Sequence, residues 1–162
     1  DDLTSLIGNW EIKDGALTPT GHGEHRLAFG DTDWTDYELK TNATLTKGQG
    51  YAIYYRADGD SKITGYAFQV DPGYGNSFIV RRVYDGKEKS PFQRVKMPAG
   101  FPVYNKSHDI SIAVVGNQHV IKVDDEVIME FDDDAFASGS AGLRSWGQTE
   151  VTFDNVNVAE LY

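Results

Sequence analysis

The stretch "GYAIYYRADGDSKITGYAFQVDPGYGNSFIVRR", Gly50–Arg82, decides the fold of this chain. It contains three short runs rich in tyrosine, phenylalanine, isoleucine and valine, separated by turns of glycine, aspartate and proline. Aromatic and β-branched runs bounded by turn residues are typical of β-strands. Arginine, glutamine and aspartate inside the same runs raise the question of what these strands use their polar side chains for.

The same pattern continues along the whole chain. Twelve segments show alternating apolar and polar residues, with turn residues every eight to twelve positions, and none has a helical period over ten residues. Short connections such as Gly116-Asn117 and Asp124-Asp125 predict antiparallel neighbours, because parallel strands need a long crossover. Twelve strands exceed one flat sheet, so an all-β fold of two packed antiparallel sheets is predicted. Residues 1–162 are predicted to form a single domain, as one module of a larger chain.

The composition limits the partners of this domain. Lys and Arg number 15 against 25 Asp and Glu, for a formal net charge of −10. Nucleic acid and anionic membranes reward positive charge, so neither is predicted as a partner, and a neutral or cationic ligand is favoured. Cysteine is absent, which excludes disulfides, thiolate metal sites and a cysteine nucleophile. No apolar run reaches 18 residues, so no membrane insertion by this domain is predicted.

Period-two alternation assigns each residue of a strand to one of two faces. In "YAIYYRA" the larger apolar side chains at positions 51, 53 and 55 share one face, and Arg56 falls on the other. In the next two runs the apolar face holds Tyr66, Phe68, Val70, Phe78 and Val80, with polar residues opposite. The face away from the core is therefore predicted to carry Glu24, Arg56, Gln69, Asp71, Arg81, Arg144 and Trp146.

Small residues at positions 28, 52, 65, 67 and 142 lie between these side chains and indicate a hollow. Arg, Asp, Glu and Gln match vicinal sugar hydroxyls in pairs, and an indole covers the apolar side of a sugar ring. Tyr74 in "DPGYGN" is included as an aromatic at the rim, with a tyrosine packed over a hairpin end as the alternative. For the whole set, the alternative is an ordinary solvated sheet face with cross-strand ion pairs.

No catalytic residue is predicted. A glycoside hydrolase needs two carboxyl groups about 5 to 9 Å apart across the scissile bond. Glu24 and Asp71 are the candidates, but neighbouring arginines would keep both carboxylates ionised, which does not suit a general acid. Non-catalytic binding of a glycan end or a short oligosaccharide is therefore the leading hypothesis, and a glycoside hydrolase is the weaker alternative.

The motifs "LAFGDTDWTDYEL", "GYAFQVDPGYGNSFIVRR" and "VTFDNVNVAEL" carry a resemblance that covers Gly8–Leu161. The chain resembles bacterial concanavalin A-like (laminin G-like) jelly rolls, especially the levan-binding type of carbohydrate-binding module and lectin-like modules of Gram-positive pilins and surface proteins. The resemblance implies a two-sheet jelly-roll β-sandwich that binds carbohydrate on or beside its concave sheet. It also implies an extracellular or cell-surface bacterial location and other modules of the same chain as further partners. An adhesive or structural module that binds a protein is the alternative function.

The same resemblance implies a structural calcium ion. Jelly-roll binding modules often hold calcium with oxygen ligands from loops and from an aspartate near the last strand. Asp154 in "TFDNV" matches that aspartate, and "GDTDWTD" and "EFDDDAF" are oxygen-rich loops. The alternative is that these acidic loops are simply solvated.

Overall fold

Fifteen β-strands and their connections make up residues 3–161, the part of the chain described by a computed structural model. These residues include no helix that could cross a membrane. The strands are β1 (Leu3–Ile7), β2 (Trp10–Lys13), β3 (Ala16–Pro19), β4 (His25–Phe29), β5 (Tyr37–Lys47), β6 (Tyr51–Ala57), β7 (Gly65–Asp71), β8 (Ser77–Tyr84), β9 (Lys87–Glu88), β10 (Gln93–Lys96), β11 (Ser107–Val115), β12 (Gln118–Val123), β13 (Glu126–Asp132), β14 (Ser140–Ser145) and β15 (Glu150–Glu160).

The strands form two sheets, and all the strand pairs are antiparallel. The first sheet has the order β1-β4-β14-β6-β7-β8-β10, with the short β9 paired to β8. The second has the order β13-β12-β11-β5-β15-β3-β2. The predicted all-β sandwich of two antiparallel sheets is confirmed.

Each of the twelve predicted strand segments corresponds to a strand of the structure, and three further strands are present. The three are β1, β3 and β9, which have five, four and two residues. β1 and β9 are mostly exposed, so neither carries the apolar alternation on which the sequence prediction relied. These short strands nevertheless matter, because β9 adds a charged side chain to the surface described below.

The core lies between the sheets and is dominated by aromatic rings. Tyr51 of the first sheet packs edge-on against Phe153 of the second, with ring centroids 5.4 Å apart. The apolar face predicted for the opening stretch is confirmed, because all eight of its members belong to the buried cluster: Tyr51, Ile53, Tyr55, Tyr66, Phe68, Val70, Phe78 and Val80. Burial of such a side chain contributes roughly 1.5–3 kcal/mol to the free energy of unfolding. The eight side chains therefore keep this face of the sheet against the core, and the opposite face points outward.

A second, smaller apolar cluster covers one end of the outer face of the first sheet. Tyr54, Ala67 and Val83 project outward from β6, β7 and β8 and are buried by Ile63 from the loop after β6. The backbone of Ile63 has a left-handed φ of 53°, and Ile63 N–H donates to Asp60 O, so this loop is a tight turn. The charged residues of the outer face lie on the strand segments beyond this cover.

Candidate binding site

A row of side chains crosses the outer face of the first sheet from β4 to β10. Strand register places Arg26 opposite Arg144, then Ala52, Gln69, Ile79 and finally Arg94. Adjacent strands are about 4.8 Å apart, so the row spans five strand spacings. We call this surface, together with Glu24, Asp71, Tyr74, Arg81, Glu88 and Trp146, the charged face.

Ion pairs connect the centre of the charged face. Arg144 donates to Glu24 through Nε at 2.6 Å and Nη2 at 3.1 Å, and Arg26 Nε donates to the same carboxylate at 2.9 Å. Arg144 Nη1 lies 2.6 Å from Glu88 Oε1, as an ion pair without hydrogen-bond alignment. Glu88 also lies 3.7 Å from Arg81 Nε. One continuous network therefore joins three arginines and two carboxylates.

Arg81 extends the network into β7. Its Nε donates to Gln69 Oε1 at 2.7 Å, and its Nη1 donates to the carbonyl of Lys89 at 3.0 Å. Gln69 is almost fully buried on the charged face. These bonds hold the guanidinium and the amide in fixed positions, as a preorganised polar site requires.

The network sets the ionisation of its members. Burial tends to raise the pKa of Glu24, but hydrogen bonds and charge from Arg144 and Arg26 outweigh it and leave that pKa below its ordinary value. Burial raises the pKa of Tyr54, whose phenol lies near these charges, to about 12. At neutral pH the site therefore presents an ionised carboxylate and a neutral phenol.

Asp71, at the end of β7, is the one carboxylate of the charged face, within residues 3–161, that lies outside this network. It is 7% exposed, and within residues 3–161 its carboxylate makes no ion pair shorter than 4 Å. Burial raises the pKa of Asp71, while the charge of Arg81, a hydrogen bond from the backbone N–H of Tyr74 and the charge of Arg144 act in the opposite direction. A carboxylate that lies near arginines but forms no ion pair with them can accept hydrogen bonds from a ligand.

Two aromatic rings flank Asp71. The Arg144 guanidinium carbon lies 4.5 Å from the centre of the Trp146 ring, and the indole also approaches Gly50, where a β-carbon would lie 3.4 Å from Cζ2. Tyr74 is 39% exposed in the turn that follows Asp71, and the Arg81 guanidinium lies 5.3 Å from its ring centre. The rings and Asp71 together have the composition of a sugar-binding surface.

Of the eight predicted ligand-binding residues, the structure brings seven to the charged face and places Arg56 elsewhere. The β6–β14 register pairs Ser140 with Ala57 and Gly142 with Tyr54, so β6 holds one extra residue there. Arg56 lies in this bulge with a left-handed φ of 46°. The bulge breaks the alternation on which the prediction depended, so the prediction that Arg56 shares this face needs correction.

Arg56 instead joins three loops at the end of the sandwich. Its guanidinium donates to the carbonyls of Thr35, Gly116 and Phe136 and to the Asp36 carboxylate, at 2.7 to 3.3 Å. The residue is 2% exposed. Backbone carbonyls and Asp36 occupy its donors, so Arg56 has the environment of a structural arginine.

Four polar residues at the charged face were not among the predicted ligand-binding residues: Arg26, Tyr54, Glu88 and, on β10, Arg94. Arg26 and Tyr54 fall on the outward face by alternation, so the signal for them was present in the sequence. Glu88 belongs to the two-residue strand β9, which folds back on β8 after a turn. Two residues carry no periodicity, so the position of Glu88 depends on the tertiary structure alone.

The carboxylates proposed for calcium do not form a cluster. Asp154 Oδ1 accepts a hydrogen bond from the backbone N–H of Asn155, in the bulge of β15. Asp133 is already engaged by Tyr66 Oη and by Arg82. Within residues 3–161 there is no group of three or more His, Asp or Glu side chains that could hold a metal ion. The residues present do not fit the predicted site, and calcium stays a prediction.

The sandwich has the fold of the lectin-like jelly rolls of concanavalin A type. A carbohydrate-binding module of Bacillus subtilis, CBM66, superimposes with a TM-score of 0.84 at 22% identity, covering 98% of this chain and 95% of that one. The lumenal domain of VIP36 with Ca²⁺ and Man3GlcNAc bound has a TM-score of 0.74 at 11% identity, covering 99% and 85%. The Emp47p carbohydrate recognition domain has a TM-score of 0.75 at 13% identity, covering 100% and 90%. At these identities the likeness concerns the fold.

The sequence also matches the model of one protein family. Residues 3–159 match the 3-keto-alpha-glucoside-1,2-lyase-like domain, so the chain belongs to that family. No protein of curated function matches the sequence.

Proposed function

We propose that the charged face binds carbohydrate without chemical change, taking the end of a glycan or a short oligosaccharide. The observation that carries the proposal is Asp71, a nearly buried carboxylate outside the ion-pair network that lies near the Trp146 indole, on the other side of Gly50, and at the turn that holds Tyr74. A buried acceptor is stabilised when a donor reaches it, and sugar hydroxyls are such donors.

Each of the other residues of the site contacts the sugar in the way its side chain allows. Arg144 and Arg81 present fixed donors to hydroxyl oxygens, since their carboxylate and amide partners hold them in place. The Trp146 indole offers an apolar surface to the C–H side of a sugar ring. Glu24 and Glu88 keep the arginines oriented and have carboxylate oxygens that can accept further hydroxyl bonds.

The comparisons support a sugar as the ligand. CBM66 is described as a carbohydrate-binding module, and VIP36 has been crystallised with mannose-containing glycans. By the same analogy we propose an extracellular or cell-surface location in a bacterium, with other modules of the same chain as neighbours. Within residues 3–161 no observation favours the adhesive or structural alternative, which stays a prediction.

A lyase is the second candidate, because the family is described by that activity. The observation that favours it is again Asp71, since burial raises its pKa and a general base benefits from a raised pKa. Glycoside hydrolysis has less support. It needs a protonated acid, and the pKa of Glu24, the other carboxylate of the predicted pair, is lowered.

The test is calorimetric titration of the protein with sugars that bind on a glycan array containing fructans, galactosides and mannosides. Asp71→Asn should weaken binding at least about tenfold, because the amide keeps the shape of the carboxylate but loses its charge. Asp134→Asn, at an exposed position, is the matched control and should bind as the native protein does. The same samples are incubated with a 3-keto-α-glucoside and with chromogenic glycosides, and the products are followed by chromatography.

Each outcome has a distinct meaning. Binding that needs Asp71, with no product formed, supports a non-catalytic module. Product formation that Asp71→Asn abolishes supports the lyase instead. A flat response over all sugars, or equal binding by the Asp71 and Asp134 variants, would rule out the charged face as the sugar site.

A further inference from the structure

The outermost strand of the first sheet carries two exposed cations on the charged face. Arg94 is the β10 member of the cross-sheet row, opposite Ile79, and Lys96 is opposite Ser77. Both side chains are exposed. Because Ser77 is in turn paired with Asp71, Lys96 is two strands from that carboxylate, or about 10 Å by strand spacing.

Arg94 is held in place by groups that leave part of its guanidinium free. Its Nε donates to Ser77 Oγ at 3.0 Å, and its guanidinium carbon lies 5.1 Å from the centre of the Tyr74 ring. A β-carbon at Gly75 would lie 2.7 Å from Nη2, so the glycine makes room for the guanidinium. Nη1 has no partner within residues 3–161, and the planar group is preorganised without being neutralised.

The local charge of this edge is opposite to that of the whole protein. The chain carries a net charge of −10, yet neither Arg94 nor Lys96 forms an ion pair in the described part of the chain. Every other arginine of the charged face is paired with Glu24 or Glu88. Two unpaired cations beside an exposed tyrosine distinguish this edge from the centre of the site.

A fixed arginine fork with a lysine nearby suits a planar or tetrahedral anion. Arginine binds carboxylate, sulfate and phosphate through paired N–H groups, and lysine adds a point charge. A neutral sugar would gain less from these cations, because their advantage over neutral donors is electrostatic. The Tyr74 ring lies against the guanidinium groups of both Arg81 and Arg94, 5.3 Å and 5.1 Å from its centre, and its exposed part is available to the sugar ring that bears the anion.

We propose that Tyr74, Arg94 and Lys96 form a subsite for an acidic substituent, so that the ligand class is an anionic glycan bearing a carboxylate or a sulfate. The inference rests on the proposed sugar site. Asp71 and the central network take hydroxyl groups of one residue, and the acidic group lies over β10, about two strand spacings away. The local geometry thus favours an anionic ligand, although the net charge of the chain favours a neutral or cationic one.

The test compares matched pairs of oligosaccharides that differ only in the anion. Oligogalacturonide trimer and its full methyl ester form the carboxylate pair, and N-acetyllactosamine with and without a 6-sulfate forms the sulfate pair, so that one member of each pair is neutral. Calorimetry gives the affinity ratio of acidic to neutral member for the native protein, for Arg94→Gln with Lys96→Gln, and for Arg94→Lys. Lys13→Gln with Lys106→Gln removes the same charge from exposed positions outside this face and is the control.

We expect a ratio of at least about ten for one pair in the native protein and in the control. The ratio should fall to about one in the double glutamine variant, and it should fall partly in Arg94→Lys, which keeps the charge and loses the fork. Asp71→Asn should weaken the binding of both the acidic and the neutral member of the pair. A native ratio of one or less, with binding that still requires Asp71, overturns the acidic subsite and leaves the sugar site standing. Binding to no member of either pair and to no glycan on the array overturns both.

Discussion

Arg144 and Arg56 lie on adjacent strands of the same sheet, and alternation predicts the same outward direction for both. Arg144 is held by two carboxylates, Glu24 and Glu88, and its guanidinium lies over the Trp146 ring. Arg56 is held mostly by backbone carbonyls of three loops. The two arginines thus have the same charge and different kinds of partner.

The partners indicate what each arginine can do. Carbonyls in loops have no other donor once the arginine is removed, so Arg56 is needed to satisfy them. Carboxylates at the surface of a sheet can exchange an arginine for water or for a ligand hydroxyl. We infer that Arg56 contributes mainly to stability and Arg144 mainly to binding, and the expectations below test that separation.

The largest effect is expected from Arg56→Ala. The substitution leaves three carbonyls without their guanidinium donor, while Asp36 loses the arginine and keeps the backbone N–H of Gly116; losing these contacts of a buried arginine costs about 3 kcal/mol. Denaturant unfolding followed by tryptophan fluorescence measures the loss in the free energy of unfolding. Arg144→Ala is the matched variant and should lose clearly less. Equal losses would contradict the separation.

Arg144→Ala should have the larger effect on affinity. The alanine removes a fixed donor and the positive charge between Glu24 and Glu88, and a hydrogen bond to a charged group contributes roughly 1.5–3 kcal/mol. Affinity for a sugar identified on the array should therefore fall at least about tenfold. Arg56→Ala, assayed well below its melting temperature, should retain most of its affinity. A normal affinity in the Arg144 variant would exclude it from the site.

The pH dependence of stability tests the end of the sandwich near Arg56, where His119 is buried. Burial lowers the pKa of His119; its Nδ1 lies 2.9 Å from Tyr55 Oη and its Nε2 lies 3.1 Å from the Asp133 carbonyl. Those partners suit a neutral ring that accepts from the tyrosine and donates to the carbonyl. The unfolded chain binds a proton near pH 6.5, where the folded chain does not.

The contribution of His119 to stability is therefore complete above about pH 6.5 and is lost as the pH falls toward its lowered native pKa. The slope reaches at most about 1.4 kcal/mol per pH unit for one proton. Unfolding curves from pH 7.5 to 5.5 should show this decline in the native protein, and a flatter dependence in His119→Gln. The same slope in both proteins would show that another group titrates.

Alternation succeeded wherever strands are regular and failed at one inserted residue. Gln69, Asp71, Arg81 and Arg144 lie on the predicted face because their strands keep the period of two up to those positions. Arg56 does not, since it lies in the β6 bulge, and the sequence "YYRADG" contains no residue type that demands a bulge there. The fold itself was predictable, because it depends on many alternating segments and tolerates one irregularity.

The partners of the charged face were less predictable than its members. Glu88 enters the network only because β9 pairs with the end of β8, a contact that two residues cannot encode by periodicity. Arg94 lay in a predicted strand, yet its place beside Tyr74 depends on the register of β10 against β8. Register between strands distant in sequence follows from packing, which local patterns do not specify.

The smallest effect on affinity is expected from Trp146→Ala. This variant tests whether the indole stacks on the sugar or only supports Arg144. The indole contributes a stacking surface for a sugar and for the Arg144 guanidinium, 4.5 Å from the ring centre. Aromatic contacts of this kind contribute about 0.5–1.5 kcal/mol, so affinity should fall roughly three- to tenfold. Trp146→Phe keeps a flat ring and should recover much of the loss, whereas a merely structural role would affect stability without this rescue of affinity. Calorimetry of the three proteins with one sugar distinguishes the two cases, because only stacking makes affinity follow the presence of a ring.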